Sequence, residues 1–149
     1  MIHRLHFSVE IDAEKSKIWN ALWSDNSYRE WANVFFEGSY AVTDNWDEKS
    51  TVLFLGPDKS GIYSLVEQHI PNELIRFKHI GTVSDGLEQS LDEESKKWTG
   101  ATEEYSILEG KKNNTLNVEI DVLDEHLEFM KSTFPKALEQ VKSSATNIN

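Results

Sequence analysis

The stretch DEHLEFMKSTFPKALEQVK, residues 124–142, decides the fold of this 149-residue chain because it carries a long amphipathic helix pattern. Asp124 stands where a helix N-cap belongs. Pro135 lies inside the pattern and removes one backbone donor, so we expect a kink there, or a restart capped by Thr133 or Phe134. The apolar residues recur every three or four positions and would share one helix face: Leu127, Met130, Phe134, Leu138 and Val141.

Upstream of this helix, the sequence predicts an antiparallel sheet. Two short helices follow the first strand, one capped by Asp12 and one by Ser24 or Asp25. Residues 81–99 lack a clear period and read as an acidic loop. We therefore expect an α+β domain in which the last helix lies across a curved sheet of about six to seven strands. Alternation and apolar runs between turns predict strands at residues 5–11, 38–43, 50–56, 62–69, 74–80, 101–109 and 115–123.

Composition limits the classes of function. Asp and Glu total 26 against 15 Lys and Arg, so the net charge of −11 disfavours nucleic acid and anionic membranes as partners. The absence of cysteine excludes a thiolate nucleophile or metal ligand. No stretch reaches the ~20 apolar residues of a membrane span, and the first residues do not resemble a signal peptide. We expect a soluble, cytoplasmic protein without membrane insertion, with one domain at 1–143 and a frayed tail at 144–149.

Three patterns give the chain a family resemblance. They are Ile11-Asp12-Ala13 before Ile18-Trp19-Asn20-Ala21-Leu22 and Trp31, then Trp46 before residues 51–54 with Gly61 and Ile70-Pro71 after it, then FPKALEQVK at 134–142. Together they resemble the START-related, birch-pollen-allergen-like superfamily (SRPBCC), and within it the branch named for the activator of heat-shock protein 90 ATPase. The resemblance covers essentially the whole chain and implies a helix-grip fold. It does not imply one function, since members include lipid binders, polyketide cyclases and chaperone regulators.

The polar residues form no familiar catalytic or metal motif. No two of the five histidines have the His-x-x-x-His spacing of a helical zinc site, and phosphate-loop and nucleophile-elbow motifs do not occur, so we expect no metal and no cofactor. His79 shares a strand face with Phe77, and we favour a core histidine bonded to a backbone group over one that points into a cavity. Glu103 turns inward if its strand is regular, but the rarity of buried acids favours a strand end that leaves it in water.

The aromatic residues carry the functional hypothesis. Five Trp, four Tyr and seven Phe must fill either a core or a cavity, and a curved sheet gripping one helix favours an apolar pocket. The predicted lining residues are Trp31, Phe35, Phe54, Phe77, His79, Tyr105, Ile107, Val118, Ile120, Phe129, Met130 and Phe134.

We therefore predict a protein that binds a small apolar or amphipathic molecule, as a monomer or weak dimer and without an identified catalytic residue. Two alternatives stay open: a module that regulates a heat-shock protein 90-type chaperone ATPase, and a polyketide cyclase-like enzyme using an inward Tyr, His or Glu. An exposed apolar patch without a cavity would favour the module. An inward polar pair within ~3 Å in a deep pocket would favour the enzyme.

Overall fold

Eight strands form one antiparallel sheet in the computed structural model, which describes residues 2–146. Seven of them follow the spatial order β1-β8-β7-β5-β4-β3-β2, and β6 pairs with the end of β5. Every pairing is antiparallel, as the short turns predict. The strands are β1 Ile2–Ile11, β2 Tyr40–Val42, β3 Thr51–Leu55, β4 Gly61–Ile70, β5 Leu74–Ser84, β6 Leu87–Glu88, β7 Thr102–Leu108 and β8 Asn114–Leu123.

Three α-helices lie with this sheet, which confirms the predicted α+β helix-grip architecture. They are α1 Lys15–Trp23, α2 Asp25–Ala32 and α3 Leu127–Thr146. A single 3₁₀ turn, Asp124–His126, joins β8 to α3, and β1 pairs with β8 along its whole length. Because of these two connections, α3 packs against β1 and also contacts α1 and α2.

The long helix differs from its prediction at two points. It continues through Pro135 without interruption, so the predicted restart at Thr133 or Phe134 is wrong. Pro135 and Lys131 both lie on the exposed side of α3, where water can bond the Lys131 carbonyl that the proline leaves without a donor. The helix also extends to Thr146 and buries Ala145, so residues 144–146 are helical rather than frayed. Residues 147–149 of the predicted tail lie outside the described residues.

Two local predictions are also corrected. Helix α1 follows Glu14, without a side-chain cap, so Asp12 does not cap it. The segment predicted as a loop at 81–99 is partly regular, because β5 continues to Ser84 and turns back into β6. Asp85 and Gly86 make this turn with positive φ angles, which a period-based analysis does not detect. The second helix begins after Ser24, at the predicted N-cap position, but the Ser24 side chain makes no capping hydrogen bond.

Candidate functional site

A cavity of about 620 Å³ opens between the inner face of the sheet, helix α2 and the first turns of α3. Its volume lies within the ~300–1,000 Å³ range of ligand pockets. The side of the cavity formed by the sheet includes Glu103 and Tyr105 from β7. The residues around it are mostly aromatic or aliphatic: Trp23, Tyr28, Trp31, Ala32, Phe35, Phe36, Ser39, Phe54, Leu55, Gly56, Asp58, Ser60, Gly61, Ile62, Glu103, Tyr105, Phe129, Met130 and Phe134.

The local sequence explains how the walls are held. The indole N–H of Trp31 donates to the Leu22 carbonyl at 2.9 Å, which ties α2 to the end of α1. The β3–β4 hairpin closes the opposite wall, and Gly61 is required there because a Cβ would overlap the Phe54 carbonyl. Phe134 packs α3 against β1 and against the segment after α2, because its ring stacks on Phe7 at 4.9 Å and meets Phe35 edge-on at 4.8 Å.

The structure brings seven of the twelve predicted residues together around this cavity. Whether they bind a ligand stays a prediction. The seven are Trp31, Phe35, Phe54, Tyr105, Phe129, Met130 and Phe134.

The other five predicted residues do not line the cavity. Ile107, Val118 and Ile120 are buried in a core shared with Leu138 and Val141 of α3, so the helix fills the space beside β7 and β8. Phe77 is fully buried, with rings packed edge-on around it at centroid distances of 5.2–5.4 Å for Phe54 and Trp23. His79 lies behind Glu103 rather than at the cavity surface.

The sequence analysis missed most of the wall formed by α1, α2 and the β3–β4 hairpin. Tyr28 stands one turn before Trp31, so helical spacing alone would have placed both on the same side of α2. The residues between the two predicted strands, 57–61, read only as a turn, and nothing in their pattern indicates that the turn bends over a cavity. No residue of the acidic segment 81–99 lines it.

A chain of hydrogen bonds ends at Glu103, a carboxylate in the cavity wall. Ser64 Oγ lies 2.6 Å from His79 Nδ1, and His79 Nε2 lies 3.1 Å from Glu103 Oε1. The Tyr105 hydroxyl donates to the other oxygen, Glu103 Oε2. The predicted backbone partner of His79 is therefore wrong, as is the expectation that Glu103 lies in water at a strand end. Regular alternation along β7 turns Glu103 inward. The hydrogen bonds with His79 and Tyr105 satisfy its two carboxylate oxygens there.

Both ring nitrogens of His79 have side-chain partners in this chain of contacts. The buried Ser64 hydroxyl has one side-chain partner among the described residues, His79 Nδ1, and Nε2 on the other side of the ring faces the Glu103 carboxylate. Burial raises the pKa of Glu103, but the hydrogen bond and electrostatic attraction of His79, together with the hydrogen bond from Tyr105, outweigh it, so the pKa lies below its usual range. Glu103 is thus an ionised acceptor in the cavity wall.

Two phenols stand near this carboxylate and keep their protons. Burial and the nearby Glu103 charge raise the pKa of Tyr105 well above its usual value. The same two causes raise the pKa of Tyr28. No hydrogen-bond partner for the Tyr28 hydroxyl occurs among residues 2–146, and its ring lines the cavity. The polar end of the cavity therefore combines one carboxylate with one free phenol.

Between residues 2 and 146, no group of three or more His, Cys, Asp or Glu side chains is placed to hold a metal ion. No helix in that same range combines the length and the apolar character needed to cross a membrane.

Comparison with known proteins identifies the fold through structure alone. The sequence matches no family model and no curated protein. The Aha1 dimer from Colwellia psychrerythraea is similar with a TM-score of 0.69 at 15% identity over 96% of both chains. Ara h 8.0201 gives a TM-score of 0.66 at 7% identity, covering 99% of this chain and 100% of that one. DynU16, from the dynemicin biosynthetic locus, gives 0.67 at 10% identity, with 97% of this chain matching only 48% of DynU16.

These neighbours agree with the resemblance seen in the sequence motifs. Identities of 7–15% show a shared fold and carry no ligand or partner from one protein to the other. On that basis, the chain shares the fold of these neighbours, the helix-grip fold that the resemblance implies.

Proposed function

We propose that this protein binds a small apolar or amphipathic molecule in the cavity between the sheet, α2 and α3. The observation that carries the proposal is a cavity of about 620 Å³ whose wall is mostly aromatic or aliphatic and includes the inward carboxylate of Glu103. Sites for small molecules combine this kind of apolar wall with few polar groups that orient the ligand.

The distribution of exposed rings supports the same proposal. Most large apolar side chains in the described chain are buried, yet Phe129 is 47% exposed and Phe36 is exposed beside the same cavity. Rings held in contact with water at a cavity mouth leave apolar surface for a ligand to cover. The rings of the core, such as Phe77, show no such exposure.

A thermal-shift screen tests the proposal directly. Flavonoids, polyketide-like aromatics and fatty acids are suitable probes, and native mass spectrometry of the purified protein would detect a retained molecule. A ligand at a hundredfold excess over its Kd stabilises the fold by about 2.7 kcal/mol. For a domain of this size, that free energy raises Tm by several degrees.

Matched variants locate the binding. Phe129→Ala removes a half-exposed ring from the cavity mouth and should reduce the shift that each hit produces. Leu108→Ala removes a side chain that is 67% exposed and lies outside the cavity, so it should leave the shifts unchanged. The proposal is wrong if no compound raises Tm and no molecule co-purifies, or if both variants respond like the wild type.

A second candidate is an enzyme that transfers a proton within the cavity. The 3.1 Å pair of His79 and Glu103 is the inward polar pair that favours this class. Only Glu103 of the two lines the cavity, so it would be the group that takes a proton from a bound molecule. Ligand binding ranks first because Ser64 and Glu103 already use both nitrogens of His79.

The remaining alternative, regulation of a heat-shock protein 90-type ATPase, ranks below both. An exposed apolar patch without a cavity would have favoured this alternative, but a cavity is present. The Aha1 dimer shares the fold at 15% identity, which does not extend a chaperone partner to this chain. A cytoplasmic location and a monomer or weak dimer stay predictions of the sequence.

A further inference from the structure

The polar end of the cavity carries a hydrogen-bond acceptor with a negative charge, the Glu103 carboxylate. Each oxygen of Glu103 already accepts one bond, from His79 and from Tyr105. A carboxylate has about four lone-pair sites, so each oxygen keeps room for another donor. The Glu103 side chain is 27% exposed and lines the cavity, so a ligand can reach it.

No positive side chain balances this charge at the cavity surface. Among the described residues that line it, the acidic side chains are Glu103 and Asp58, and none is Lys, Arg or His. His79 touches Glu103 from behind and does not line the cavity. A ligand carboxylate would therefore meet like charges without a cation, although the Tyr28 hydroxyl could offer it one hydrogen bond.

Aromatic rings pack near the same end. The Tyr28 and Phe54 ring centroids lie 6.2 Å apart, and Phe54 meets the His79 ring edge-on at 6.5 Å. Trp23 and Trp31 both pack against Tyr105, at 4.9 and 6.0 Å. Ring faces around a carboxylate suit an organic cation, because the ring quadrupole and the carboxylate attract it together.

We propose that the ligand of this cavity is an amphipathic amine: an aromatic or acyl body that fills the apolar space and an ammonium group that bonds to Glu103. This inference rests on the proposed binding function and narrows it to one ligand class. Alcohols share the donor but lack the charge, so they bind more weakly. Fatty acids and other carboxylates bind least.

A matched ligand series tests the inference. Naphthylethylamine, naphthylethanol and naphthylacetic acid share one ring body and differ in the polar group. Calorimetric titration of the wild-type protein at neutral pH and low salt should rank them amine, alcohol, acid. The amine should bind about tenfold tighter than the alcohol, the difference expected between a charge-assisted and a neutral hydrogen bond. Added salt should weaken the amine alone.

Two isosteric variants assign the preference to one carboxylate. Glu103→Gln should bring the amine within about threefold of the alcohol and improve binding of the acid, since the amide also donates. Glu119→Gln makes the same charge change on the outer face of β8, where the side chain is 46% exposed, and should keep the wild-type ranking. Melting curves show that each variant is folded.

The outcomes separate this inference from the function beneath it. If the acid binds as tightly as the amine in the wild type, or if Glu103→Gln keeps the full amine preference, the amine assignment is wrong and the binding proposal stands. If none of the three binds while other compounds raise Tm, the amine assignment again fails alone. If no compound of any class binds, both fail.

Discussion

The two halves of the inner sheet face are built from similar residues, but one half is covered by α3 and the other borders the cavity. Beside β1, β8 and the Ile107 end of β7, the face is filled: Leu116, Val118, Ile120 and Ile107 form one core with the second half of α3. Beside β3, β4 and the Glu103 end of β7, the face is left partly open, and Phe54, Ile62 and the first turn of α3 surround a cavity. Phe134 marks the border, because it belongs to the core and also lines the cavity.

The difference between the halves follows from where one helix can reach. Helix α3 leaves β8 at the edge formed by β1 and packs along β1, so its buried residues Ala137, Leu138 and Val141 cover that side. The other side faces the shorter α2, which packs against β2. A sheet of seven strands is wider than one helix of about 10–12 Å diameter can cover. The uncovered width becomes the cavity.

The sharpest way to break this comparison is to truncate one residue in each half of α3. Leu138→Ala should lower the free energy of unfolding by about 2–5 kcal/mol, because Leu138 is buried among side chains that cannot collapse into the gap. Urea unfolding followed by circular dichroism measures this loss. A loss under about 1 kcal/mol would show that the filled half is loosely packed.

The carboxylate inside the open half makes stability depend on pH. The folded pKa of Glu103 lies below its unfolded value of about 4.3, so its stabilisation is present above that value and is lost as pH falls through the folded pKa. Glu103→Gln should therefore be less stable than the wild type at neutral pH by about 1.5–3 kcal/mol, the range for hydrogen bonds to a charged group. The two stabilities should converge below about pH 4.

Urea midpoints across a pH series measure this convergence. The groups that face Glu103 are His79, Tyr105 and Tyr28, and the phenols do not titrate in this range because their pKa values are raised. Asp121, whose pKa is also lowered, is present in both proteins and cancels in the comparison. A stability gap that stays constant from neutral to acid pH would contradict the assigned charge of Glu103.

The smallest effect is expected for Met130, two turns before Leu138 on the same helix. Met130 is only partly buried and lines the cavity, so Met130→Ala enlarges a space that already exists. It should lower the free energy of unfolding by less than about 1 kcal/mol, since little buried surface is lost. Ligand shifts should fall at the same time. Losses as large as for Leu138→Ala would place Met130 in the filled half instead.

Residue patterns alone were enough to predict the strands and helices, but not to predict which sheet residues line the cavity. Alternation in β8 correctly turns Val118 and Ile120 inward, but alternation is identical for a strand covered by a helix and a strand facing a cavity. The residues of α3 were predicted better, because Phe129 and Met130 belong to the turns nearest the sheet's open half. Tyr28 and the hairpin residues were missed because their contacts join segments that are distant in sequence.

By itself, the sequence determined the order of strands and helices, the inward face of nearly every strand and the amphipathic α3, because these depend on local periodicity and turn residues. The tertiary structure decided the rest. It decided that Pro135 is accommodated on an exposed helix side, that Glu103 is held inward by His79 and Tyr105, and which apolar residues are core rather than cavity wall. Each of these depends on which side chain, distant in sequence, fills the space beside a residue. Periodicity within one segment does not encode contacts between distant segments.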